Sequence, residues 1–346
     1  MLQQTQVSTV LTYFDRFLTR FPAVAHLAAA PLDDVLALWS GLGYYSRARN
    51  LHRCAQAVME QHGGRFPANA SQLTTLPGIG RSTAAAIAAF CFDQRVAILD
   101  GNVKRVLSRV LAFEGDLAAS AQEKLLWAQA EALLPPDRLP AYTQALMDLG
   151  ATVCLPRAPL CQGCPLQDFC RARALDRVAD FPRKSRKLRR SLRSNALLWL
   201  RQGSRSWLVQ RPPVGVWAGL YSLPEFGSKS ELQALSSGWP GHGHWLPAFK
   251  HVLTHFDWQL QVLVWHWPLH QAEPEAAWLD GAALAVAPKV EEETRPALAH
   301  QTQAAAQWAL QAPGGWHDAD QALALGLPAP VRKLFLKHLG PGSTAA

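Results

Sequence analysis

No stretch of the 346-residue sequence holds the roughly 20 consecutive apolar residues that a membrane-spanning helix needs. Nor does a basic, then apolar, then small-residue leader open it. A membrane partner is therefore not expected, and the reading is a cytoplasmic protein. Charged residues are few, 17% against 49% hydrophobic, a balance too apolar for a disordered chain. Cysteine is scarce and unevenly placed. Cys54 and Cys91 sit in Ala-rich helical pattern and read as small buried hydrophobes, whereas the other four are bunched. The beginning lacks something as well. In MLQQTQVSTVLTYFDRF the apolar residues Leu2, Val7, Val10, Leu11, Phe14, Phe17 and Leu18 recur at helical spacing, so one face is expected to meet a core. Yet neither a capping residue nor a first-turn proline precedes that helix.

What is present is organised. The length allows two or three domains. From residue 1 to 174 the pattern is helical, with LDDVLALW ending at GLG and YYSRARNLHRCAQAVMEQH ending at GG. SAQEKLLWAQAEALL predicts a capping box, Ser120 with Glu123. Residues 175–194 read as a basic linker. Across Arg171 to Arg193 there are ten Lys or Arg against two Asp, an excess as large as the whole chain's net charge of +8. Such a stripe follows a phosphate backbone or simply keeps a linker solvated. From 195 to 342 the period changes. NALLWL, SWLVQ and HVLTHFDWQLQVLVWHW are rich in β-branched and aromatic residues between turn signals, predicting a second, α+β domain. Residues 270–312 are Ala-, Pro- and Glu-rich and weakly patterned.

Three constellations carry chemistry. LPGIGRSTAAAIAAF, residues 76–90, leads a glycine turn straight into a helix. Gly78 and Gly80 let a partner approach the backbone while the first helical amides, near Ser82, face outward to bind an anion; a plain helical corner has the same look. VAILDGNVKRVLSRVLAF, residues 96–113, brings an apolar segment to Asp100 and Asn102 and then a basic amphipathic helix. Asp100 is either an N-cap or a carboxylate facing a developing positive charge. Cys154, Cys161, Cys164 and Cys170, spaced C-x6-C-x2-C-x5-C, suit four-thiolate ligation of zinc or of an iron-sulfur cluster.

Together these segments resemble the helix-hairpin-helix DNA glycosylases with a [4Fe–4S] cluster, the endonuclease III superfamily. Within it, LQQTQV, LWSGLGYYSRARNLH, ILDGNVKRVL, QALMDLGA and RPPVGVWAGLYSLPEF are similar to the adenine DNA glycosylase family. The resemblance implies a multidomain protein: an all-α helix-hairpin-helix domain with an iron-sulfur loop at 154–170, then a Nudix-like domain. It implies a [4Fe–4S] cofactor on the four cysteines. The expected partner is double-stranded DNA containing A·8-oxoguanine or A·G mismatches, bound by a monomer. The implied reaction is hydrolysis of the N-glycosidic bond of a flipped adenine. Ser82 stands where endonuclease III enzymes carry a lysine nucleophile, so no imine and no strand cleavage are expected. The second domain lacks the Glu-rich hydrolase box of Nudix enzymes, which implies binding rather than hydrolysis.

Residue by residue, the resemblance implies that Asp100 stabilises the cationic sugar and that Asn102 orients Asp100 or water. Lys104 would hold phosphate. Gln3, Gln4, Leu42 and Tyr44 would wedge into the base stack, while Leu2, Val7 and Gln144 would line the adenine pocket. Thr254 and His255, in KHVLTHFDW, would read 8-oxoguanine where the family often has Phe-Ser-His; taken alone, His255 is an ordinary strand histidine. The family also has a segment before LQQTQV that ends in a general-acid glutamate, and no residue of this sequence corresponds to it. The expectation is therefore a start assigned too late, or a shortened product that excises slowly or only binds lesions.

Overall fold

The structure is a computed structural model, and it describes residues 1–3, 5, 7–185, 190–269 and 314–339. Among the described residues ten α-helices come first: α1 Val7–Arg20, α2 Val24–Ala29, α3 Leu32–Trp39, α4 Ser46–His62, α5 Ala70–Leu73, α6 Arg81–Phe92, α7 Gly101–Val110, α8 Ser120–Ala132, α9 Leu139–Asp148 and α10 Arg171–Ala174. Three more, α11 Lys229–Ser236, α12 Ala319–Ala324 and α13 Ala329–Leu339, accompany an eight-stranded sheet. No described helix is long and apolar enough to cross a membrane. The passage from helices to strands at β1 follows the change of period near Asn195, which is why the helical-then-α+β expectation is met.

By its contacts the chain divides into two units, residues 53–188 and residues 1–52 together with 189–346. In the first, α6, α7, α8 and α9 enclose a core of Ala85, Ala89, Ile98, Leu99, Val103, Val106, Leu126 and Trp127. Small alanines on α6 let neighbouring helices approach closely, and Ala97, Ile98 and Leu99 are buried in the segment between α6 and α7. α8 departs from expectation. The helix begins at Ser120, so its N-cap is Ala119, which has no side-chain acceptor, and the Glu123 carboxylate is engaged by Lys104.

In the second unit, β1 (Ser191–Gln202) pairs in parallel with β7 (Phe256–His266) along eleven residues, the two longest strands lying side by side. β2 (Arg205–Gln210) and β4 (Glu225–Phe226) pair antiparallel with β1, β3 (Tyr221–Ser222) and β8 (Gly314–His317) with β2, and β5 (His242–Trp245) and β6 (Phe249–Val252) with β7. Burial on both faces of Leu197–Leu200 marks the centre of the sheet. The first helices belong here by contact: Ser40 Oγ donates to Leu327 O at 2.9 Å, Tyr45 Oη to the same oxygen at 3.0 Å, and Arg49 Nη1 to Ala218 O at 2.8 Å. Burial pushes the Tyr45 phenol up to about 12, so it stays a neutral donor.

α1 corrects the expected single apolar face. Val10 and Phe17 are buried, with Phe17 edge-on to Trp39 at 6.1 Å, and Tyr13 Oη donates to Ser40 O at 3.2 Å. The stripe Val7, Leu11, Phe14 and Leu18 is exposed, as is Leu2. The helix therefore carries two apolar stripes, and only the one turned to α3 is covered among the described residues.

Candidate functional site

The hairpin comes first in the chain. Leu73 and Leu76 anchor its base in the core, Gly78 takes φ +79°, and Gly80 N-caps α6 without a side-chain bond. A Cβ built at Gly80 would touch nothing within 4 Å, so the helix start is open to an approaching group. On the same helix Arg81 stacks 3.9 Å over Trp127 and pairs with Glu131 at 2.8 Å. Ser82 Oγ accepts from Leu99 N at 3.2 Å. That bond joins the second residue of the hairpin helix to the residue before Asp100, so the glycine turn and the carboxylate are fastened together.

Asp100 is the N-cap of α7, its Oδ1 accepting from Val103 N at 2.8 Å, which matches the capping reading of the sequence. The side chain is half-buried, so the same carboxylate keeps an accessible edge. Asn102 does not turn toward Asp100. Its Oδ1 accepts from Arg105 Nη2 at 2.9 Å, and a Cβ at Gly150 would lie 2.7 Å from Asn102 Cβ. Arg105 also donates to Gly150 O, and through Nε to Cys154 O at 2.7 Å, binding the first turn of α7 to the π-helical turn Leu149–Val153 and the cysteine loop. Burial lowers the pKa of this guanidinium, an effect opposed by the charges of Cys154 and Asp100. The Lys104 ammonium is paired with Glu123, a partner it would leave in order to hold phosphate.

The four bunched cysteines lie around two short 3-10 turns, Cys161–Gly163 and Gln167–Phe169, and all four are half-buried. Val106, Val110, Leu149, Val153, Leu160 and Leu166 line the cavity they border. Burial first, and then the neighbouring Cys154, Cys170 and Cys164, raise the Cys161 thiol, an effect that the Arg109 charge opposes. Four thiolates spread around an apolar chamber suit a multi-iron cluster, which would cross-link the loop.

Sequence reasoning missed Arg109. It is 3% exposed and donates to Leu155 O at 2.8 Å, to Val178 O and Phe181 O at 3.1 Å each, and to Cys154 Sγ at 3.3 Å. Its position in an amphipathic basic helix gave no sign of burial. The basic stretch is partly neutralised: Arg177 pairs with Glu114 and Asp180, and Arg183 with Glu114. Residues 186–189 lie outside the described residues.

Gln144 is exposed on α9 and bonded to Asp148 at 2.8 Å. Among the expected wedge residues Tyr44 is 49% exposed, Gln3 is exposed and Gln4 lies outside the described residues. Leu42, expected to project as a wedge, is only 7% exposed. Thr254 and His255 are exposed at the turn joining β6 to β7, closed by Leu253 N donating to Phe256 O at 3.0 Å. Behind that turn His251, also missed, lies 5.5 Å from Trp217, which in turn lies 4.7 Å from Trp258.

The family described as HhH-GPD superfamily base excision DNA repair protein matches residues 1–131. The iron-sulfur binding domain of endonuclease III matches residues 154–170, and the NUDIX domain matches residues 195–337. Adenine DNA glycosylase of Homo sapiens is 35% identical over 342 residues, covering 81% of this chain and 62% of the human protein. Its Mus musculus counterpart is 37% identical, covering 81% and 66%. A solved thermostable thymine-DNA glycosylase is 28% identical with a TM-score of 0.44, covering 50% of this chain and 80% of its own. The chain thus spans somewhat under two thirds of these human and mouse relatives. The cysteine loop matched by the iron-sulfur domain is that of a [4Fe–4S] cluster, and the helical part and the sheet each match the domain that their elements form. The chain belongs to the HhH-GPD superfamily of base excision DNA repair proteins, in its adenine DNA glycosylase family.

Proposed function

We propose that the chain is a monofunctional DNA glycosylase that hydrolyses the N-glycosidic bond of adenine mispaired with 8-oxoguanine or guanine in duplex DNA. The observation that carries this reading is the bond from Leu99 N to Ser82 Oγ, which sets the Asp100 carboxylate beside an open glycine hairpin. A hairpin of that form takes a backbone phosphate without reading sequence. The target base cannot react inside the stack and must be extruded. Departure of adenine leaves an oxocarbenium-like sugar. Asp100, oriented by Val103 N–H, would stabilise it by charge or by a transient covalent bond. Ser82 offers no amine, so the strand stays intact. Asn102, held by Arg105, would keep the start of α7 in register. Gln144, Leu2 and Val7 are assigned to the adenine, and Thr254 and His255 to the opposing lesion.

The test is single-turnover release of adenine from an A·8-oxoguanine duplex, with matched A·T and T·G duplexes alongside. Asp100→Asn is expected to slow excision by at least about a hundredfold while mismatch binding persists. Normal turnover in that variant would reject the carboxylate's role. Binding without excision by the wild type would mean a lesion-binding protein, and preferential thymine release a glycosylase of different specificity.

A further inference from the structure

Nothing in the reaction scheme above uses Arg47, yet its guanidinium is a hub. Nη1 donates to Met1 O at 2.7 Å and to Gln3 O; Nη2 donates to Thr5 Oγ1 at 3.0 Å and to Gly43 O at 3.3 Å. Its flat faces lie 5.5 Å from the Trp39 ring and 5.3 Å from the Tyr44 ring. The described residues ahead of α1 form no helix or strand. The loop it meets is unusual too: Gly41, Gly43 and Tyr44 all have positive φ, +105°, +71° and +49°, and a tyrosine holds that conformation only where its surroundings impose it. Trp39 Nε1 pins the same loop by donating to Gly43 O at 3.1 Å. A planar fork that donates in several directions while stacking on two rings is a task for arginine and not for lysine.

We propose that Arg47 is a positioning residue that locks the N-terminal segment to the 41–45 loop, so that Gln3 and Tyr44 reach the duplex as one preorganised wedge. The wedge part of this rests on the glycosylase reading; the lock itself does not. Preorganisation matters because a segment ordered only on contact with DNA would spend binding energy on its own ordering.

The experiment compares the wild-type chain with Arg47→Lys and Thr5→Ala. It follows hydrogen exchange at two hydrogen-bonded amides, Thr5 N (to Leu2 O) and Leu42 N (to Trp39 O), and binding to A·8-oxoguanine and matched duplexes. Arg47→Lys is expected to keep the wild-type melting temperature, to exchange about tenfold faster at both amides, and to lose about tenfold in mismatch preference. Thr5→Ala removes one arm of the fork and should speed exchange at Thr5's own position alone; it decides the matter if the lysine variant does not fold. Unchanged exchange at both amides in Arg47→Lys overturns the lock. Faster exchange with wild-type mismatch preference overturns the wedge. A wild type that prefers no mismatch defeats the glycosylase reading, and the exchange result still decides the lock.

Discussion

Removing the Arg109 guanidinium without changing much volume, as in Arg109→Met, should cost the protein its cysteine loop. The side chain is 3% exposed, and its three best acceptors, Leu155 O, Val178 O and Phe181 O, lie at 2.8 to 3.1 Å. Val178 O also accepts from Phe181 N at 3.5 Å, so two carbonyls, Phe181 O and the part-buried Leu155 O, lose this partner at roughly 1 to 3 kcal/mol each, about 2 to 6 kcal/mol before relaxation. Methionine no longer buries a cation, which offsets part of that cost. A net loss of about 1 to 3 kcal/mol is expected, a sizeable share of the roughly 5 to 15 kcal/mol that holds a typical domain. The damage falls on the two segments that frame Cys154 and on the stretch after Cys170. Urea unfolding should therefore shift, and iron content per chain and visible absorbance should fall together. Arg109→Lys, able to reach one or two of the acceptors, should lie between. Full iron and a wild-type midpoint in Arg109→Met would refute the view that this arginine frames the loop.

Three further outcomes follow from the same geometry. Asp100→Ala should cost about 1 kcal/mol through loss of the N-cap, whereas Asp100→Asn, a good cap, should unfold like wild type; equal destabilisation by both in denaturant titration would contradict the capping geometry. Gly150→Ala should destabilise by about 1 to 3 kcal/mol, because its Cβ would press on Asn102 Cβ and on the Asn102 backbone at 3.1 Å, and a neutral result in the same titration would mean the helix start can shift. Burial depresses His251, His266, His317 and His338, with added repulsion from Lys333 at His251, from Arg201, His242 and His244 at His266, and from Lys337, Arg201 and His244 at His338, while Asp318 opposes the shift at His317. The unfolded chain then binds protons more readily, so stability is fully present above about pH 6.5 and is lost as pH falls through the lower folded values. A melting temperature that stays level or rises from pH 7 to 5 would contradict this.

Local signals in the sequence carried far. Gly-Gly after His62, the Pro-Gly-Ile-Gly turn before Arg81 and the aspartate before Gly101 each specify a helix boundary through backbone conformation or capping, and those boundaries appear where the residues place them. The cysteine spacing, being a matter of four nearby residues, was equally plain. What escaped were pairings across distance. Glu123 is a correct capping-box residue by spacing, but Lys104 takes it from nineteen positions away. Arg109 and Arg47 look like ordinary surface cations in a basic helix, since nothing adjacent in the chain names the backbone carbonyls that will surround them. The apolar repeat of α1 reads as a single face, because its division into a covered and an exposed stripe depends on where Trp39 comes to rest.

The bond from Ser40 to Leu327 has a bearing on how the chain comes into being. At roughly 5 to 20 residues per second, the ribosome delivers Leu327 some 15 to 60 s after Ser40. Throughout that wait Ser40 and Tyr45 have no permanent acceptor, while residues 53–188 are already complete and free to condense around their own centre. Newly made chains should thus mature from the middle outward, and a transcript cut short before its last fifth would yield a product whose opening helices never find their seat.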